Sequence, residues 1–352
     1  MRVLHFPAWT GGNHHFFNLM KETGLKGVTP ISATYIKRLF PLCVNAIKHK
    51  SRILHLHYLY PVTGVLENQS VKTALYQLLT LADLYILTKI LRIKLIWTVH
   101  NLITHDALQP EADVRISRWT AYFCHTLIAH GETAVQSIID LYKCPAEKIR
   151  VIKHGNYFRN YPDMRDSKNP RKDFKINENQ KVYLFLGGIS PYKGILELID
   201  AFRSVHTENE ILIIAGQCKD EVYLEKIKMS IDNDEAIILQ LQFVADEDVP
   251  SYFKMADWVI LPFKQNFTSG SLVLAMGFSK AIIVSDTGLN REYAGDKGAL
   301  YIQQPISSES ITAAIIKSRD TDKSQLEKTS FEKARSLDWA NISDQIIKTY
   351  KE

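Results

Sequence analysis

Short, continuous apolar runs are the feature that most constrains the fold of this chain. They form two series, and the first comprises residues 3–6, 28–31, 53–57, 94–99, 126–130 and 149–152. The second comprises residues 182–186, 211–215, 237–243, 258–261, 282–285 and 300–302. Runs that are rich in β-branched residues and lack polar alternation are typical of parallel strands covered by helices on both faces. The intervening segments, such as 71–91 and 195–206, show helical spacing of Leu, Ile and Ala. The sequence predicts an α/β protein with two Rossmann-like, doubly wound parallel sheets.

A polar stretch at residues 155–180 separates the two series, contains two prolines and has no periodic element. The 352 residues are enough for two domains of ordinary size. We therefore predict one domain over 1–160, a second over 161–335, and a C-terminal helix over 336–352 that packs back toward the first. Ligands of doubly wound sheets bind beyond the C-terminal strand ends, so we expect a substrate cleft between two facing domains.

Cysteine usage and charge narrow the cellular setting. The four cysteines are widely separated and form no CxxC pair, which fits a reducing compartment. No signal-peptide pattern and no bilayer-length apolar stretch is evident, so we expect a cytoplasmic protein. The net charge of +5 is mild and predicts no nucleic-acid partner.

A basic, amphipathic segment lies at residues 35–52. Its cations alternate with apolar residues and comprise Lys37, Arg38, Lys48, Lys50 and Arg52. Such a segment can rest on anionic lipid headgroups, which would make the protein peripheral on the inner face of the plasma membrane. The alternative is a helix with one face in the core and a solvated basic face.

The segment 184–195 reads as a strand that ends at Gly187 and Gly188, a turn that carries Lys193, and the start of a helix. Glycines let the backbone approach a phosphate, and a lysine beside a helix N-terminus adds positive charge. The alternative is an ordinary strand-to-helix turn with a surface lysine.

The segment 266–276 offers a second phosphate-binding pattern. Small hydroxyl residues and a glycine open a predicted helix at Thr268, Ser269, Gly270 and Ser271. Backbone N–H groups and hydroxyls at a helix start suit a diphosphate, although the same residues also serve as ordinary N-caps. A further strand end at 280–292 adds Glu292 to the candidates.

In the first half, the segment 97–106 places His100, Asn101, His105 and Asp106 at the end of a buried strand. Histidine and aspartate there can act as a general base or hold sugar hydroxyls. We do not favour a metal at His100 and His105, because a loop does not fix their spacing as a helix would. Structural hydrogen bonding is the alternative.

The loop after the first strand contains Gly12 and Asn13 and permits close backbone approach. It lacks the GxGxxG spacing, so a nicotinamide cofactor is not expected. His130 and His154 also follow apolar runs, and we interpret His154 as a packed strand-end histidine.

Taken together, these motifs resemble the GT-B superfamily of glycosyltransferases over nearly the whole chain. LGGISPYKG at 186–194, LIIAGQ at 212–217, FVADEDVPSYF at 243–253 and MADWVILPF at 255–263 follow the order of the donor domain of family 4-type enzymes. TVHN at 98–101 and VIKHGNY at 151–157 resemble bacterial polysaccharide mannosyl- and glucosyltransferases.

Two departures from that pattern matter. Retaining family 4 enzymes usually carry two glutamates eight positions apart, where this chain has Asn266 and Leu274. The usual arginine of the first motif aligns with Gly188, while the lysine is kept as Lys193. The pattern NxTSGSxxxA is more similar to lipid-linked-oligosaccharide β-glycosyltransferases of exopolysaccharide, capsule or O-antigen assembly, which points to inversion.

The resemblance implies a donor domain that binds a UDP- or GDP-sugar through Gly188, Lys193, Gly216, Phe243, Val244, Thr268, Ser269, Gly270, Ser271 and Glu292. The first domain would bind a glycan acceptor carried on polyprenyl diphosphate, through Gly12, Asn13, Asn101 and His105, with His100 or Asp106 as the base. We expect no metal and no cofactor, because fixed cations and N–H groups can stabilise the leaving diphosphate. Two alternatives are a nucleotide-sugar epimerase and a non-catalytic partner in glycan assembly.

Overall fold

The structure is a computed structural model of the chain. It describes residues 1–8, 14–35, 39–104, 107–164, 170–265, 267 and 269–352. The chain divides into two compact units. The first unit comprises Met1–Gly155 together with Asp338–Glu352, and the second comprises Asn156–Leu337.

Each unit contains one parallel six-stranded sheet. The first sheet has the order β2-β1-β3-β4-β5-β6, and the second has the order β12-β11-β10-β7-β8-β9. The strands are β1 (Arg2–Phe6), β2 (Thr29–Ser32), β3 (Ile53–Leu56), β4 (Lys94–Thr98), β5 (Thr126–Ala129), β6 (Ile149–Val151), β7 (Lys181–Leu186), β8 (Glu210–Ala215), β9 (Ile237–Gln240), β10 (Trp258–Leu261), β11 (Ala281–Ser285) and β12 (Leu300–Ile302). The predicted α/β class with two doubly wound parallel sheets is confirmed.

Fourteen α-helices lie within the described residues. They are α1 (His14–Leu25), α2 (Pro41–Lys48), α3 (Tyr60–Thr63), α4 (Ser70–Tyr85), α5 (Pro110–Phe123), α6 (Glu132–Tyr142), α7 (Ile195–Val205), α8 (Glu221–Ile231), α9 (Val249–Met255), α10 (Gly270–Gly277), α11 (Gly288–Ala294), α12 (Ser308–Arg319), α13 (Lys323–Ser336) and α14 (Trp339–Lys351). A π-helical turn at Ile86–Ile90 continues α4, and 3-10 turns occur at Ala146–Lys148 and Pro191–Lys193.

The core of the first unit explains why the C-terminal helix belongs to it. Alternate residues of the strands place Val3, Ile53, Ile96, Ile128 and Ile152 in one apolar cluster. That cluster includes five α14 residues that repeat at helical spacing, namely Trp339, Ile342, Ile346, Ile347 and Tyr350. Apolar residues at this spacing give α14 one buried face, which covers part of the first sheet.

Helix α2 shows how the basic segment at 35–52 is packed. Leu42 and Cys43 in its first turn are buried, and their N–H groups donate to the buried carboxylate of Asp83 at 2.8 and 3.0 Å. Lys48 and Lys50 are exposed. The described part of this segment therefore buries one side of α2 in the core and exposes lysines at and after the end of the helix, while Lys37 and Arg38 lie outside the described residues.

No helix in the described part of the chain combines the length and apolar character that are needed to cross a bilayer.

Candidate donor site and histidine-lined sheet edge

The second sheet has a topological switch point between β7 and β10. From β7 the chain continues to β8 and β9 on one side, whereas β10, β11 and β12 fill the other side. Loops that leave neighbouring strands in opposite directions open a crevice at such a point, and ligands of doubly wound sheets bind there. Lys193 and Ser271 follow β7 and β10, respectively, so the fold brings them to this crevice.

Gly187 marks the position where these side chains meet. It follows β7 with a φ of 144°, and a Cβ built on it would lie 3.4 Å from Nζ of Lys193 and 3.6 Å from Oγ of Ser271. Gly216 follows β8 with a φ of 148°, and a Cβ there would collide with the carbonyl oxygen of Gly187. Both positions favour glycine, because side chains rarely adopt this backbone conformation, and at Gly216 no space remains for a Cβ.

Lys193 is a partly buried cation. Its Nζ lies 5.8, 5.7 and 5.5 Å from the ring centroids of Phe185, Tyr192 and Phe263, respectively. Among the described residues no carboxylate pairs with Lys193, and desolvation by burial lowers the pKa of its ammonium to about 8. An ammonium that has lost water without gaining a carboxylate is poised to bind an anion.

The turn that carries Lys193 is anchored to the neighbouring strand. The N–H of Lys264 donates to the carbonyl oxygen of Tyr192 at 2.8 Å. Gly194 follows with a φ of 68° and packs against the carbonyl of Pro262, where a Cβ would collide. These contacts hold the lysine-bearing turn against the loop that follows β10.

Helix α10 begins beside this turn. The side chain of Ser269 accepts a hydrogen bond from the N–H of Leu272 at 3.0 Å, so Ser269 is an N-cap. This leaves Gly270 and Ser271 in the first helical turn, where N–H groups lack partners within the helix and attract anions. Asn266 and Thr268 lie outside the described residues.

Of the remaining predicted donor residues, one adjoins this site and the others lie at other strand ends and helices of the second unit. Gly188 is exposed beside Gly187, and Phe243 is 71% exposed in the loop after β9. Val244 is half-buried in the same loop, and Glu292 is half-buried on α11. The structure thus brings Lys193, Ser271 and Gly216 together around Gly187. A role in binding a donor stays a prediction for all of these residues.

In the first unit, His100 and Asn101 follow β4 as predicted, whereas Gly12, Asn13, His105 and Asp106 lie outside the described residues. His100 is half-buried, and its ring stacks on Tyr58 at a centroid distance of 4.9 Å and an interplanar angle of 21°. Asn101 contributes its backbone carbonyl, which accepts a hydrogen bond from the hydroxyl of Tyr142 at 3.3 Å.

A layer of histidines at this edge was missed by the sequence analysis. On one face of the first sheet, a buried Ile or Val is followed two residues later by histidine in the pairs Val3–His5, Ile53–His55, Ile128–His130 and Ile152–His154. Because side chains alternate between the faces of a strand, each strand continues the apolar face with imidazole. The signal was present in the sequence as this repeated two-residue step.

The histidine layer is uncharged. Desolvation lowers the pKa of His5 and His154 to about 3 and that of His130 to about 4. The same cause, reinforced by neighbouring imidazoles, holds the pKa of each remaining member well below its usual range, namely His15, His55, His57 and His100. At neutral pH these rings carry one N–H and one lone pair each.

His5, His55 and His57 are the described residues that are close enough to share a metal ion, with nitrogens all within 4.8 Å of one another. The rings are nearly parallel or moderately tilted, with interplanar angles of 16° for His5–His57 and 31° for His55–His57, and Nδ1 of His5 lies 3.1 Å from Nε2 of His57. Both nitrogens of His55 already lie 2.7 Å from the hydroxyls of Tyr350 and Thr98. This arrangement suits hydrogen bonding better than ligation, and the expectation of no metal stays a prediction.

Parts of this chain are similar in sequence to known glycosyltransferases. Residues 166–330 match the sequence profile of the family described as glycosyl transferases group 1. A lipopolysaccharide 1,2-N-acetylglucosaminetransferase of Salmonella typhimurium is 27% identical over 229 residues, which are 59% of this chain and 58% of that enzyme. A GDP-mannose:glycolipid 4-beta-D-mannosyltransferase of Xanthomonas campestris is 27% identical over 115 residues, 33% of each chain. The matches thus span less than two thirds of these curated relatives.

Solved structures resemble the whole chain. Sucrose-phosphate synthase from Thermosynechococcus elongatus gives a TM-score of 0.76 at 14% identity, covering 99% of this chain and 98% of that one. HepE from Anabaena, solved in complex with UDP-glucose, gives 0.75 at 17% identity, covering 100% and 99%. At these identities the likeness establishes the fold, which is the two-domain GT-B fold. Residues 166–330 therefore match the glycosyl transferases group 1 family, within a chain of GT-B fold.

Proposed function

We propose that this chain transfers a hexose from a UDP- or GDP-sugar to a glycan acceptor in the assembly of a bacterial surface polysaccharide. The observation that carries the proposal is the Lys193 ammonium, which lacks a carboxylate partner in the described structure and lies beside Ser271 and Gly187. This group occupies the switch point of a glycosyltransferase domain, where a doubly wound sheet binds its ligand.

The chemistry of the leaving group fits these residues. As the sugar departs, negative charge grows on the diphosphate oxygens. The ammonium of Lys193, the hydroxyl of Ser271 and the first-turn N–H groups of α10 are fixed before reaction, so they stabilise that charge without reorganising. Transfer by this route does not require a metal, and we expect activity to persist in the presence of a chelator.

The names of similar proteins suggest two candidate nucleotides for the donor. The Xanthomonas enzyme is named for GDP-mannose, and HepE was solved with UDP-glucose. Several relatives are named for glycolipid, lipopolysaccharide or O-antigen substrates, which supports a lipid-linked glycan as the acceptor.

We further propose that the reaction inverts the anomeric configuration. Asn266 and Leu274 occupy the positions of the two glutamates of retaining relatives. A single displacement needs a base that takes the proton of the acceptor hydroxyl. His100 and Asp106 are the candidates in the first unit, and His100 is the one that the structure describes.

The test begins with a thermal-shift panel of UDP, GDP, ADP and their hexose conjugates. A ligand that binds only the folded state raises Tm by mass action, so the panel identifies the nucleotide. Transfer of the matching sugar to a lipid-linked glycan, followed by NMR of the product anomer, then tests activity and stereochemistry. Absence of a shift with every nucleotide sugar would refute the proposal.

We further propose that the first unit contacts an anionic membrane through an exposed apolar stripe on α4. Val71, Leu75, Leu78 and Tyr85 are 85%, 55%, 65% and 53% exposed and recur at helical spacing on one face. On the adjoining helix α5, Tyr122 is 60% exposed, and the ammonium groups of Lys89 and Lys148 each lie 5.9 Å from its ring centroid. Apolar and aromatic side chains flanked by lysines suit the headgroup region.

Co-sedimentation with vesicles of phosphatidylglycerol and phosphatidylcholine tests this surface. The double variant Leu75→Glu with Leu78→Glu should lose vesicle binding, because two new anions face the lipid. The matched control is Val222→Glu with Met229→Glu, which alters equally exposed residues of α8 in the second unit. Equal binding of both variants and wild type would refute contact through α4. Loss on Lys48→Glu with Lys50→Glu alone would shift the contact to α2.

A further inference from the structure

Three histidines form a continuous hydrogen-bonded row from the core of the first unit to its partly exposed edge. Nδ1 of His5 lies 3.1 Å from Nε2 of His57, and Nδ1 of His57 lies 3.3 Å from Nε2 of His100. The neighbouring rings are nearly parallel, with interplanar angles of 16° and 27°. His5 and His57 are buried, and His100 is half-buried.

The strand register creates this row. His5 of β1 pairs with His55 of β3, and His57 follows two residues after His55 on the same face. The N–H of His57 donates to the carbonyl oxygen of Phe6 at 2.8 Å, which extends the β1–β3 pairing past the end of β3. The row therefore begins at the switch point of the first sheet, between β1 and β3, and ends after β4.

A row of neutral imidazoles can have only two polarities. Each ring carries one N–H and one lone pair, so every hydrogen bond in the row must point in the same direction. In the outward polarity, His5 donates to His57, His57 donates to His100, and His100 holds its proton on Nδ1. In the inward polarity, His100 donates from Nε2 to His57, His57 donates to His5, and Nδ1 of His100 keeps its lone pair.

Only the inward polarity is compatible with His100 as a base. An Nδ1 that already carries a proton cannot accept another, whereas a lone pair on Nδ1 can take the proton of a hydroxyl group. When it does, the resulting imidazolium still donates from Nε2 to Nδ1 of His57, so no ring has to turn. The general principle is that a partner of one imidazole nitrogen fixes the tautomer and orientation of the other.

We propose that His57, backed by His5, is a positioning residue that holds His100 as the Nε2–H tautomer with a basic Nδ1. This inference rests on the proposed transfer reaction and assigns a role to two residues that it does not otherwise use. The acceptor oxygen gives its proton to Nδ1 of His100 as it bonds to the sugar carbon. The bond from that carbon to the diphosphate oxygen breaks, and its electron pair leaves with the diphosphate.

The buried end of the row has an unusual feature. Nε2 of His5 is buried and has no hydrogen-bond partner among the described residues. A buried polar atom without a partner is unfavourable and calls for a reason. In the inward polarity this atom is an N–H. The ring of Phe16 lies at a centroid distance of 5.3 Å and an interplanar angle of 87° from that of His5, and an N–H group gains weakly from a nearby aromatic ring.

The first arm of the test measures the tautomer without any need for activity. The full-length chain is labelled with ¹⁵N-histidine, and long-range ¹H–¹⁵N spectra assign the protonated nitrogen of each ring at pH 7.5. We expect His100 to carry its proton on Nε2, and His57→Phe to remove this preference. An Nδ1–H form of His100 in the wild type would overturn the proposal even if the chain is an active transferase.

The second arm measures transfer. His57→Phe should lower kcat about 10- to 100-fold, a typical effect of losing a group that orients an active imidazole, while KM for the nucleotide sugar stays unchanged. The acid limb of the kcat/KM profile should move to lower pH, because the imidazolium of His100 loses its acceptor. His57→Gln supplies an amide oxygen in place of Nδ1 and should restore part of kcat.

His55→Gln is the matched control, since His55 lies on the same strand and face and is equally buried but stands outside the row. It should leave kcat within about threefold of wild type. If His57→Phe does not fold, His57→Gln and the wild-type tautomer still decide the matter. Equal kcat and unchanged pH profiles in all three variants would overturn the positioning role. An Nε2–H tautomer of His100 in a chain without transfer activity would instead count against the proposed function alone.

Discussion

The two units share an architecture, but the side chains at the ends of their strands differ in charge and in hydrogen bonding. Each has a parallel six-stranded sheet with a switch point beside its first strand, at β1–β3 in one unit and at β7–β10 in the other. The first edge is lined by neutral histidines that bond to each other and to hydroxyls. The second presents an ammonium without a carboxylate partner among the described residues, glycines and a helix start. The fold therefore determines where a site lies, and the residues at the strand ends determine what it binds.

Replacement of Lys193 should have the largest effect, because it removes the cation that distinguishes the second edge from the first. Lys193→Ala removes the cation at the second edge and should lower kcat/KM for transfer about 10²- to 10³-fold, the usual result of losing one fixed donor to a developing anion. The matched control is Lys280→Met. Lys280 also has a pKa lowered by burial, but it precedes β11 at the opposite end of the sheet. Steady-state kinetics in which both variants lose activity equally would show that Lys193 has no special role.

Substitution of Gly216, which packs against Gly187 at the second edge, should have the next largest effect. Gly216→Ala forces a Cβ against the carbonyl of Gly187 in a conformation that favours glycine, and should lower the free energy of unfolding by about 3 kcal/mol. Gly188→Ala is the control, because its Cβ would meet nothing nearer than 3.9 Å. Urea unfolding of both variants measures the difference. A tolerant Gly216→Ala would contradict the close approach of the β7 and β8 ends.

At acidic pH the first unit should lose more stability than the second. The folded pKa of His5 is about 3, below the ordinary 6.5, so the folded state binds fewer protons than the unfolded state. This contribution to stability is complete above pH 6.5 and declines as the pH falls toward 3. At pH 5 the loss is about 2 kcal/mol for such a histidine. Hydrogen exchange at pH 7.5 and 5.0 should show the first unit weakening more than the second, and equal weakening would contradict a neutral histidine layer.

Alkaline pH should have a smaller effect, which is a lower affinity of the second sheet edge for the nucleotide. The pKa of Lys193 is about 8 in the absence of ligand, and diphosphate binding favours the charged form. Affinity for the nucleotide should therefore fall about tenfold between pH 7 and pH 9. Titration calorimetry measures this slope. Lys193→Ala should abolish it, and a slope that persists in that variant would assign the titration to another group.

The sequence predicted the fold well because buried parallel strands leave a strong pattern. The continuous apolar runs fixed the number of strands, and LGGISPYKG and TSGS indicated the ends of β7 and β10. The histidine row was not predicted. It depends on which residues face each other across β1, β3 and β4, and sequence spacing along one strand does not reveal the register between strands. The proximity of Lys193 and Ser271 depends on the pairing of β7 with β10, two strands that are far apart in the chain.

The distribution of amide protection in the nucleotide complex distinguishes a donor site at Lys193 and Ser271 from one at the histidine-lined edge. Hydrogen–deuterium exchange of the full-length chain is compared with and without the nucleotide that the thermal-shift panel selects. We predict protection in peptides that span residues 187–196 and 269–277, with little change at 53–60 and 98–104. Protection confined to the histidine-lined edge of the first unit would contradict a donor site at Lys193 and Ser271.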